Sequence, residues 1–350
     1  MSNLPKTPTR GRPSRKAIHE RLALAVEELR SRLGGLPTPE EADGIWTDIW
    51  HHEAHNSTAL EGNTLVRREV EILLREGRAV GDKELKEYLE VKGYANAAQW
   101  VYAHALGPTR WKSGKVLTLT EVRHVHRMAM TPLWEVAPHP DAFDSEGPGN
   151  WRQHDILPFS RGMTPPEHPQ VPSLVRDWVD SAGSLPRESE RIAEAIAVHH
   201  AAFARNHPFL DGNGRVGRLL MNLVLVRLGY PPAIIHKRER DRYLDALARA
   251  DRDDPAPLGE LIARAILDNI NRFILPAVAG PAKLVPLEAL ATKEMSVIAM
   301  RNAARRGRLK AIRASDGTWR SSKQWVGEYR KARYDKLREP RKSLVARHVP

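Results

Sequence analysis

The chain has 350 residues, 41% of them hydrophobic, which allows one large domain and a smaller one with a buried core. Cysteine is absent, so disulfides and thiolate catalysis are excluded. No run is long and apolar enough for a membrane span, and no signal peptide is recognisable, so we expect a cytoplasmic protein without membrane contact.

The formal net charge of +12 is concentrated in the last fifth of the chain. Residues 281–350 hold 18 Lys and Arg against 6 Asp and Glu, whereas the rest of the chain has equal numbers of both. Such an asymmetry indicates contact with a polyanion, with nucleic acid as the main candidate.

The first 16 residues, rich in Pro, Thr and Arg, are typical of a disordered basic arm. Apolar residues at helical spacing then predict a helix from Lys16 to Leu33. The next predicted helix carries His51, His52 and His55, a cluster that lacks the glutamate of a zinc-protease motif. We interpret these side chains as partly exposed helix histidines.

Residues 66–106 predict two helices, and Leu119 to Met130 predicts another. The segment 132–172, rich in Pro, Gly and His, then interrupts the helical pattern. Short alternating apolar pieces around glycine predict a small β-hairpin there.

A predicted helix over residues 187–205 leads to the most distinctive segment, His207 to Arg218, which reads His-Pro-Phe-Leu-Asp-Gly-Asn-Gly-Arg-Val-Gly-Arg. A tight glycine loop that feeds a helix N-terminus points several N–H groups at one place and favours anions. Two arginines at the start of that helix add forked, charged donors. The segment predicts a polyphosphate cradle of Gly212, Asn213, Gly214, Arg215 and Arg218, with His207 as general base and Asp211 as a metal-capable carboxylate.

This segment resembles, at every fixed position, the signature His-Pro-Phe-x-Asp-Gly-Asn-Gly-Arg-x-x-Arg of the Fic family of AMP-transferring enzymes. The resemblance implies transfer of AMP from ATP to a Ser, Thr or Tyr hydroxyl of a protein, the chain itself included. It implies that Asp211 holds Mg²⁺ between the α- and β-phosphates. A branch of the family that phosphorylates has Lys where Gly214 stands, so Gly214 favours AMP transfer, while other nucleotides or phosphocholine stay open.

The sequence Ser57-Thr58-Ala59-Leu60-Glu61-Gly62 is, by itself, the end of a helix with a glycine cap. Beside the His207 motif it resembles the Ser/Thr-x-x-x-Glu-Gly inhibitory motif of Fic proteins, with Ser57, Glu61 and Gly62 at the fixed positions. The resemblance implies that Glu61 pairs with Arg218 and removes the arginine that should hold the γ-phosphate.

The resemblance also implies a Fic-type helical bundle with a β-hairpin flap that holds the target segment by strand addition. Trp151, Arg152 and Ile156 are the flap residues expected to dock the target. The family places a side chain near Tyr243 against the adenine, and core packing is the equal alternative for this tyrosine.

After residue 286 a helix capped by Ser296, two strands and a basic helix from Lys323 resemble the small winged helix-turn-helix modules of the excisionase type. The resemblance implies DNA contacts by Arg301, Arg305, Arg306 and Arg308. A solvated basic cap or an oligomerisation tail is the alternative.

We therefore expect a mainly α chain with five parts: a basic arm (1–16), an N-terminal helical region with the inhibitory helix (17–110), a Fic catalytic core (111–275), a linker (276–286) and a basic winged-helix-like domain (287–350). The alternative function is a DNA-binding transcriptional regulator whose Fic domain senses nucleotide or modifies the chain itself. A homodimer is compatible with both functions.

Overall fold

The computed structural model describes residues 13–33, 35–39, 42–106, 115–187, 191–278, 283–313 and 317–338. The predicted basic arm lies outside these residues except for its last four positions. The chain divides into two compact units, Met1–Asn269 and Ile270–Pro350. The predicted linker, 276–286, therefore falls inside the second unit, and its residues 279–282 lie outside the described chain.

Every regular element in the described part of the first unit is a helix, which confirms the mainly α fold class. Its helices are α1 (Arg15–Leu33), α2 (Asp43–Leu60), α3 (Arg67–Glu76), α4 (Leu85–Leu106), α5 (Leu119–Trp134), α6 (Val171–Ser181), α7 (Ile192–Asn206), α8 (Asn213–Arg227), α9 (Arg240–Ala250) and α10 (Ala256–Asn269). No helix in the described part of the chain is long and apolar enough to cross a bilayer.

Helix α8 is the central element of this unit. Every residue from Leu219 to Val226 is buried and all but Asn222 are apolar, as expected of a helix that has no face toward water. Helix α4 packs against α2, α5 and α8, while α7 packs against α8, α9 and α10. The N-terminus of α8, where the glycine loop enters, is therefore held in the interior of the bundle.

A buried carboxylate fixes helix α2 against its neighbours. Glu53 accepts hydrogen bonds from the hydroxyl of Tyr94 (2.9 Å), the amide of Asn222 (2.7 Å) and the hydroxyl of Tyr102. Burial raises the pKa of Glu53, and the three donors oppose that rise. Because these partners come from α4 and α8, the polar network sets the position of α2 and of Glu61, which follows it.

The predicted β-hairpin of the flap is wrong. Residues 151–167 contain no strand, and the segment closes only one turn, in which the N–H of Phe159 donates to Met163 O (2.9 Å). Pro158, Pro165 and Pro166 lack the N–H that a strand ladder needs. An isolated two-stranded hairpin is also marginally stable in water, so the segment is a loop.

The second unit begins with a π-helical turn (Ile270–Ile274) and contains α11 (Leu275–Val278), β1 (Val285–Pro286), a 3₁₀ turn (Leu287–Leu290), α12 (Val297–Arg305), β2 (Ile312–Arg313), β3 (Trp319–Ser321) and α13 (Lys323–Arg338). The strands form an antiparallel sheet in the order β1-β3-β2. As predicted, Ser296 caps α12, accepting from the N–H of Ala299 (3.3 Å), and Gly307 follows with φ +65°. The sequence predicts strands over residues 309–312 and 318–320. Strand β3 lies at the second of these, whereas β2 shares only Ile312 with the first, and residues 314–316 of the predicted turn lie outside the described chain.

Candidate active site

His207 ends helix α7 in the left-handed region, with φ +40°. Non-glycine residues adopt this conformation rarely, and here hydrogen bonds hold it. The N–H of His207 donates to Phe203 O (3.1 Å), and its carbonyl accepts from Arg152 Nε (2.8 Å).

The imidazole of His207 is arranged as a neutral base. Its Nδ1 faces the carbonyl of Ala204 at 3.4 Å, and because a carbonyl only accepts, Nδ1 carries the proton and Nε2 keeps its lone pair. Burial lowers the pKa of His207 to about 4. The ring is therefore unprotonated at neutral pH and can accept a proton from a hydroxyl.

The glycine loop is closed by the side chain of Asn213. Its Oδ1 accepts from the N–H of Phe209 (3.0 Å) and its Nδ2 donates to Phe209 O (2.7 Å). Gly212 has φ +78°, and a Cβ at this position would collide with the Met130 side chain. The side chain of Asn213 thus shapes the loop, which leaves backbone N–H groups as its contribution to anion binding.

The cradle is the first turn of α8. The sequence predicts this helix from Arg215, and it begins two residues earlier, at Asn213. The bond from Val216 N–H to Gly212 O (2.9 Å) is the first of the helix ladder. The N–H groups of Asn213, Gly214 and Arg215 precede it and point out of the helix end, as in helix N-terminal anion sites.

Arg215 is shared between two carboxylates. Its Nη1 donates to Glu90 Oε1 (2.6 Å), and its Nη2 lies 3.1 and 3.2 Å from the two oxygens of Asp211. Although burial acts to raise the pKa of Asp211, Arg215 and the N–H of Gly212 hold it below its ordinary value. Glu90 also accepts from Asn63 Nδ2 (2.8 Å), so the residues after the inhibitory motif are linked to Arg215.

Arg218 is buried, and the end of α2 engages its Nε and Nη2. Its Nε donates to Ser57 Oγ (2.7 Å), and its Nη2 donates to Ser57 O (2.9 Å) and to Glu61 Oε1 (2.7 Å). A Cβ on Gly214 would touch Glu61 Oε1, so this carboxylate lies directly over the helix N-terminus. Gly62 follows with φ +109°, as expected of a residue after a helix end. The predicted contact of Glu61 with Arg218 is thus present.

Two cavities meet at the cradle. One, of about 290 Å³, is mostly apolar and lies between the flap and helices α7, α8 and α9. The other, of about 600 Å³, faces α4 and is lined by Asp211, Glu90 and Arg215. Glu61, His207, Asn213 and Gly214 line both. A nucleotide could place its base in the apolar cavity and its phosphates at the shared wall.

Tyr243 lies at the wall of the apolar cavity, 3% exposed, with its hydroxyl 2.7 Å from His200 Nε2. Burial lowers the pKa of His200 to about 3, so the ring is neutral. Tyr243 both packs in the core and presents part of its ring to the cavity, which leaves both predicted roles open.

The structure contradicts the docking role predicted for Arg152. This side chain is 2% exposed, and its guanidinium donates to the carbonyls of His207, His154 and Pro166. Each of its three nitrogens is thus engaged within the chain, and the buried guanidinium is shielded from a target. Trp151 and Ile156 are both half-buried, and Trp151 packs against Phe209 with ring centroids 5.0 Å apart.

Asp211 is the metal-capable group of the site. Its side chain is 42% exposed and borders the larger cavity, which suits the one carboxylate that Mg²⁺ commonly takes when phosphates and water supply the other ligands. Within the described residues no three His, Asp or Glu side chains are grouped as a protein-only metal site. His51 and His52, expected to be partly exposed, are 7% exposed each, and burial lowers the pKa of His51.

Three residues of the site carry no signal in the sequence. Glu90 holds Arg215, Met130 lies under Gly212, and His126 supports the loop by placing Nε2 3.0 Å from Asp211 O. Each sits in an ordinary helix, where a polar or sulfur side chain at helical spacing has no distinctive pattern.

In the second unit the predicted DNA-contact residues Arg301, Arg305, Arg306 and Arg308 are all exposed. Arg301 pairs with Glu288 (2.9 Å). The outward face of α12 also presents Ile298, 71% exposed, and Asn302. The helix thus exposes two arginines together with a polar and an apolar side chain, and Arg306 and Arg308 lie just beyond its end.

Comparison with known proteins relates this geometry to one family. Residues 116–225 match the model of the Fic/DOC family. The chain is 27% identical over 260 residues to "Protein adenylyltransferase Fic" of Drosophila virilis, covering 74% of this chain and 50% of that protein. It is 25% identical over 273 residues to the protein of the same name from Nematostella vectensis, covering 78% and 60%. The chain therefore spans about half the length of the curated relatives it matches.

Solved structures share the fold. Fic-1 from C. elegans aligns with a TM-score of 0.58 and 23% identity, over 74% of this chain and 72% of that one. A Fic domain containing signaling protein from Bacteroides thetaiotaomicron aligns with a TM-score of 0.55 and 26% identity, over 73% and 97%. A Fic family protein from Desulfovibrio desulfuricans aligns with a TM-score of 0.53 and 20% identity, over 92% and 98%.

Proposed function

With residues 116–225 identified as a Fic/DOC domain, we propose that the chain transfers AMP from ATP to a Ser, Thr or Tyr hydroxyl of a protein, itself included. The observation that carries the proposal is a neutral His207, with its Nε2 lone pair free, beside an anion-binding helix N-terminus. Relatives named as protein adenylyltransferases support the same reaction.

In the proposed reaction Nε2 of His207 takes the proton of the attacking hydroxyl. The oxygen forms a bond to the α-phosphorus, the bond from that phosphorus to the bridging oxygen breaks, and pyrophosphate leaves. The N–H groups at the start of α8 bind the α- and β-phosphate oxygens, and Arg215 and Arg218 neutralise the charge that builds up on the leaving group.

Magnesium fits this site through Asp211, whose exposed carboxylate borders the cavity beside the cradle. When bound, the ion would supply positive charge to the α- and β-phosphate oxygens. Because Arg215 already neutralises part of the Asp211 charge, this carboxylate alone attracts the ion only weakly. The phosphates of ATP supply the remaining negative charge, so we expect ATP and the ion to favour each other's binding.

We further propose that the chain is self-inhibited. The Glu61 carboxylate occupies the position over Gly214 that a phosphate oxygen would need, and it uses the Nη2 donor of Arg218. Although burial acts to raise the pKa of Glu61, the Arg218 guanidinium keeps it below its ordinary value, so Glu61 stays ionised at neutral pH. Like charge would therefore repel the γ-phosphate from this position.

The metal-dependent transfer is tested with the Glu61→Gly protein and ATP labelled in the α-phosphate. We expect covalent protein label with Mg²⁺, none after chelation by EDTA, and full recovery when Mg²⁺ is restored. Asp211→Asn should lower labelling by about 10- to 100-fold and raise the Mg²⁺ concentration needed, because the amide is neutral. Label that persists in EDTA, or an unchanged Mg²⁺ requirement in Asp211→Asn, would contradict the role of Asp211.

A second function is favoured by the second unit. We propose that it binds duplex DNA, with α12 at the major groove and the β2–β3 pair beside it. Exposed Arg305, Arg306 and Arg308, together with the net positive charge of residues 281–350, support this. The chain would then act as a regulator whose Fic domain senses nucleotide or modifies the chain itself.

DNA binding is measured with the full chain and a pool of duplex DNA at several salt concentrations. Replacing both Arg305 and Arg306 by alanine should weaken binding and lower the slope of log K against log salt by about 2, because each arginine neutralises one phosphate. Arg67→Ala with Arg78→Ala removes the same charge from exposed positions of the first unit and should leave binding intact. Binding that ignores salt, or that falls equally in both variants, would count against the proposal.

A further inference from the structure

Arg152 is a buried arginine that the mechanism above does not use. Its backbone N–H donates to Pro208 O (2.9 Å), and its Nε donates to His207 O (2.8 Å). Both acceptors belong to the loop of residues 207–212 between α7 and α8, called the catalytic loop below. They are the first two residues after α7. One residue thus binds consecutive carbonyls at the point that orients the general base.

The same guanidinium joins the two limbs of the flap. Its Nη1 donates to His154 O (2.6 Å) in the limb before the turn, and its Nη2 donates to Pro166 O (2.5 Å) in the limb after the turn. The flap has no strand ladder, so this side chain takes the place of cross-strand hydrogen bonds at its base. The far end is closed by the turn from Phe159 to Met163, and Phe159 lies 4.8 Å from the His207 ring.

His126 gives the same two segments a second connection. Its Nδ1 accepts from the N–H of Gly149 (2.7 Å), so its Nε2 carries the proton and donates to Asp211 O (3.0 Å). The imidazole also stacks on Phe209 at 3.6 Å between ring centroids. Residues 149–152 are therefore attached to the catalytic loop at both ends, through His126 and through Arg152.

We propose that Arg152 is a positioning residue that fixes the distance between the flap and His207. The hydroxyl of a target segment bound to the flap is thereby placed within reach of His207 Nε2. The inference rests on the proposed AMP transfer. Arg152 touches no reacting atom in this arrangement. Arg152 acts in two ways. It fixes the carbonyl of His207, a residue in a rare backbone conformation, and it fixes the distance from that carbonyl to both limbs of the flap.

The chemistry of the side chain explains why arginine stands here. Three carbonyls in different directions need a planar group with donors on three nitrogens, which a guanidinium offers in fixed geometry. A lysine would keep the charge and could reach one or two of these carbonyls. It would not hold all three in one plane, so the flap and the loop should lose their fixed separation.

The test compares Arg152→Lys and Arg152→Met with their parent, the Glu61→Gly protein. A change in the distance between the flap and His207 affects the transfer step, whereas the ATP cradle at the start of α8 is left unchanged. We expect kcat for AMP incorporation to fall by about 10- to 100-fold. KM for ATP and the number of ATP sites should stay within about twofold. Arg152→Lys should retain more activity than Arg152→Met, and it carries the test if Arg152→Met fails to fold.

The matched control is Arg123→Gln. Arg123 also bonds residues of this segment, through Gly149 O (2.7 Å) and Asn150 Oδ1 (2.8 Å), but its hydrogen bonds go to neither the catalytic loop nor the flap limbs. Its kcat should match the parent within about twofold. Loss of ATP sites in proportion to kcat, or an equal loss in Arg123→Gln, would overturn the positioning role.

Amide hydrogen exchange separates this inference from the proposed function. If Arg152 joins flap and loop, Arg152→Lys should speed exchange in both 153–166 and 207–212, while Arg123→Gln should not. That result would support the positioning role even if the parent transferred no AMP, an outcome that would refute the proposed function alone. Exchange unchanged in both segments would overturn the positioning role whatever the activity.

Discussion

Replacing Glu61 by glycine is expected to raise AMP incorporation by roughly 10- to 100-fold, because a hydrogen bond to a charged partner contributes about 1.5–3 kcal/mol. The substitution removes the carboxylate over Gly214 and frees the Nη2 donor of Arg218 for a phosphate oxygen. Arg218 stays in place, since Ser57 still accepts from its Nε and Nη2. ATP affinity in the presence of Mg²⁺ should rise together with labelling.

The chain offers a matched control for this variant. Glu76 also precedes a glycine at the end of a helix, α3, and its exposed carboxylate pairs with Arg78 at 2.8 Å. Glu76→Gly therefore repeats the change in charge and in helix-end geometry at a position outside the cradle. If Glu76→Gly raised labelling as much as Glu61→Gly, a general loosening of the helices would explain the effect and the inhibitory pairing would not.

Replacing His207 by alanine in the Glu61→Gly protein is expected to lower transfer by about 10²–10⁴-fold, the usual contribution of a positioned general base. ATP binding should stay nearly unchanged, because the cradle consists of α8 N–H groups and two arginines. His199→Ala is a suitable comparison, since His199 is buried on the same helix with its Nε2 facing Trp178 O (3.1 Å). Full transfer by His207→Ala would refute its role as base.

The pH dependence of transfer gives a second measure of His207. Burial lowers its pKa to about 4, so the base is already neutral well below pH 6. The rate should therefore be flat through neutral pH and should fall only as pH drops through about 4, where Nε2 becomes protonated. An acid limb centred near the ordinary histidine value of about 6.5 would show that the active state does not bury the ring.

The arrangement of the phosphate cradle could be predicted from the sequence, because the residues that form it are close together along the chain. Gly212 turns the chain with φ +78°, Asn213 and Gly214 begin α8, and the arginines follow in the same helix. The Glu61–Arg218 contact joins residues 157 positions apart, and only the resemblance to a family motif predicts it. Periodicity locates the helices on either side but not the pairing between them.

Contacts that depend on tertiary placement escape prediction from the sequence. Glu90 is one of two glutamates on α4, and only the packing of α4 against α8 brings it to Arg215. Arg152 is expected at the surface because buried arginines are rare, and two of its three carbonyl partners, His207 and Pro166, are not its neighbours along the chain. The alternation in the flap predicts a hairpin, but the prolines remove the ladder donors and prevent it.

The most direct measurement incubates the Glu61→Gly protein with Mg²⁺ and ATP labelled either in the α-phosphate or in the γ-phosphate, with Glu61→Gly/His207→Ala as the blank. AMP transfer predicts covalent α-label on protein, γ-label released as pyrophosphate, and neither label on the blank. Protein that keeps the γ-label would show phosphorylation instead. Protein that keeps neither label, while ATP binding is intact, would contradict the assignment of this site as an AMP transferase.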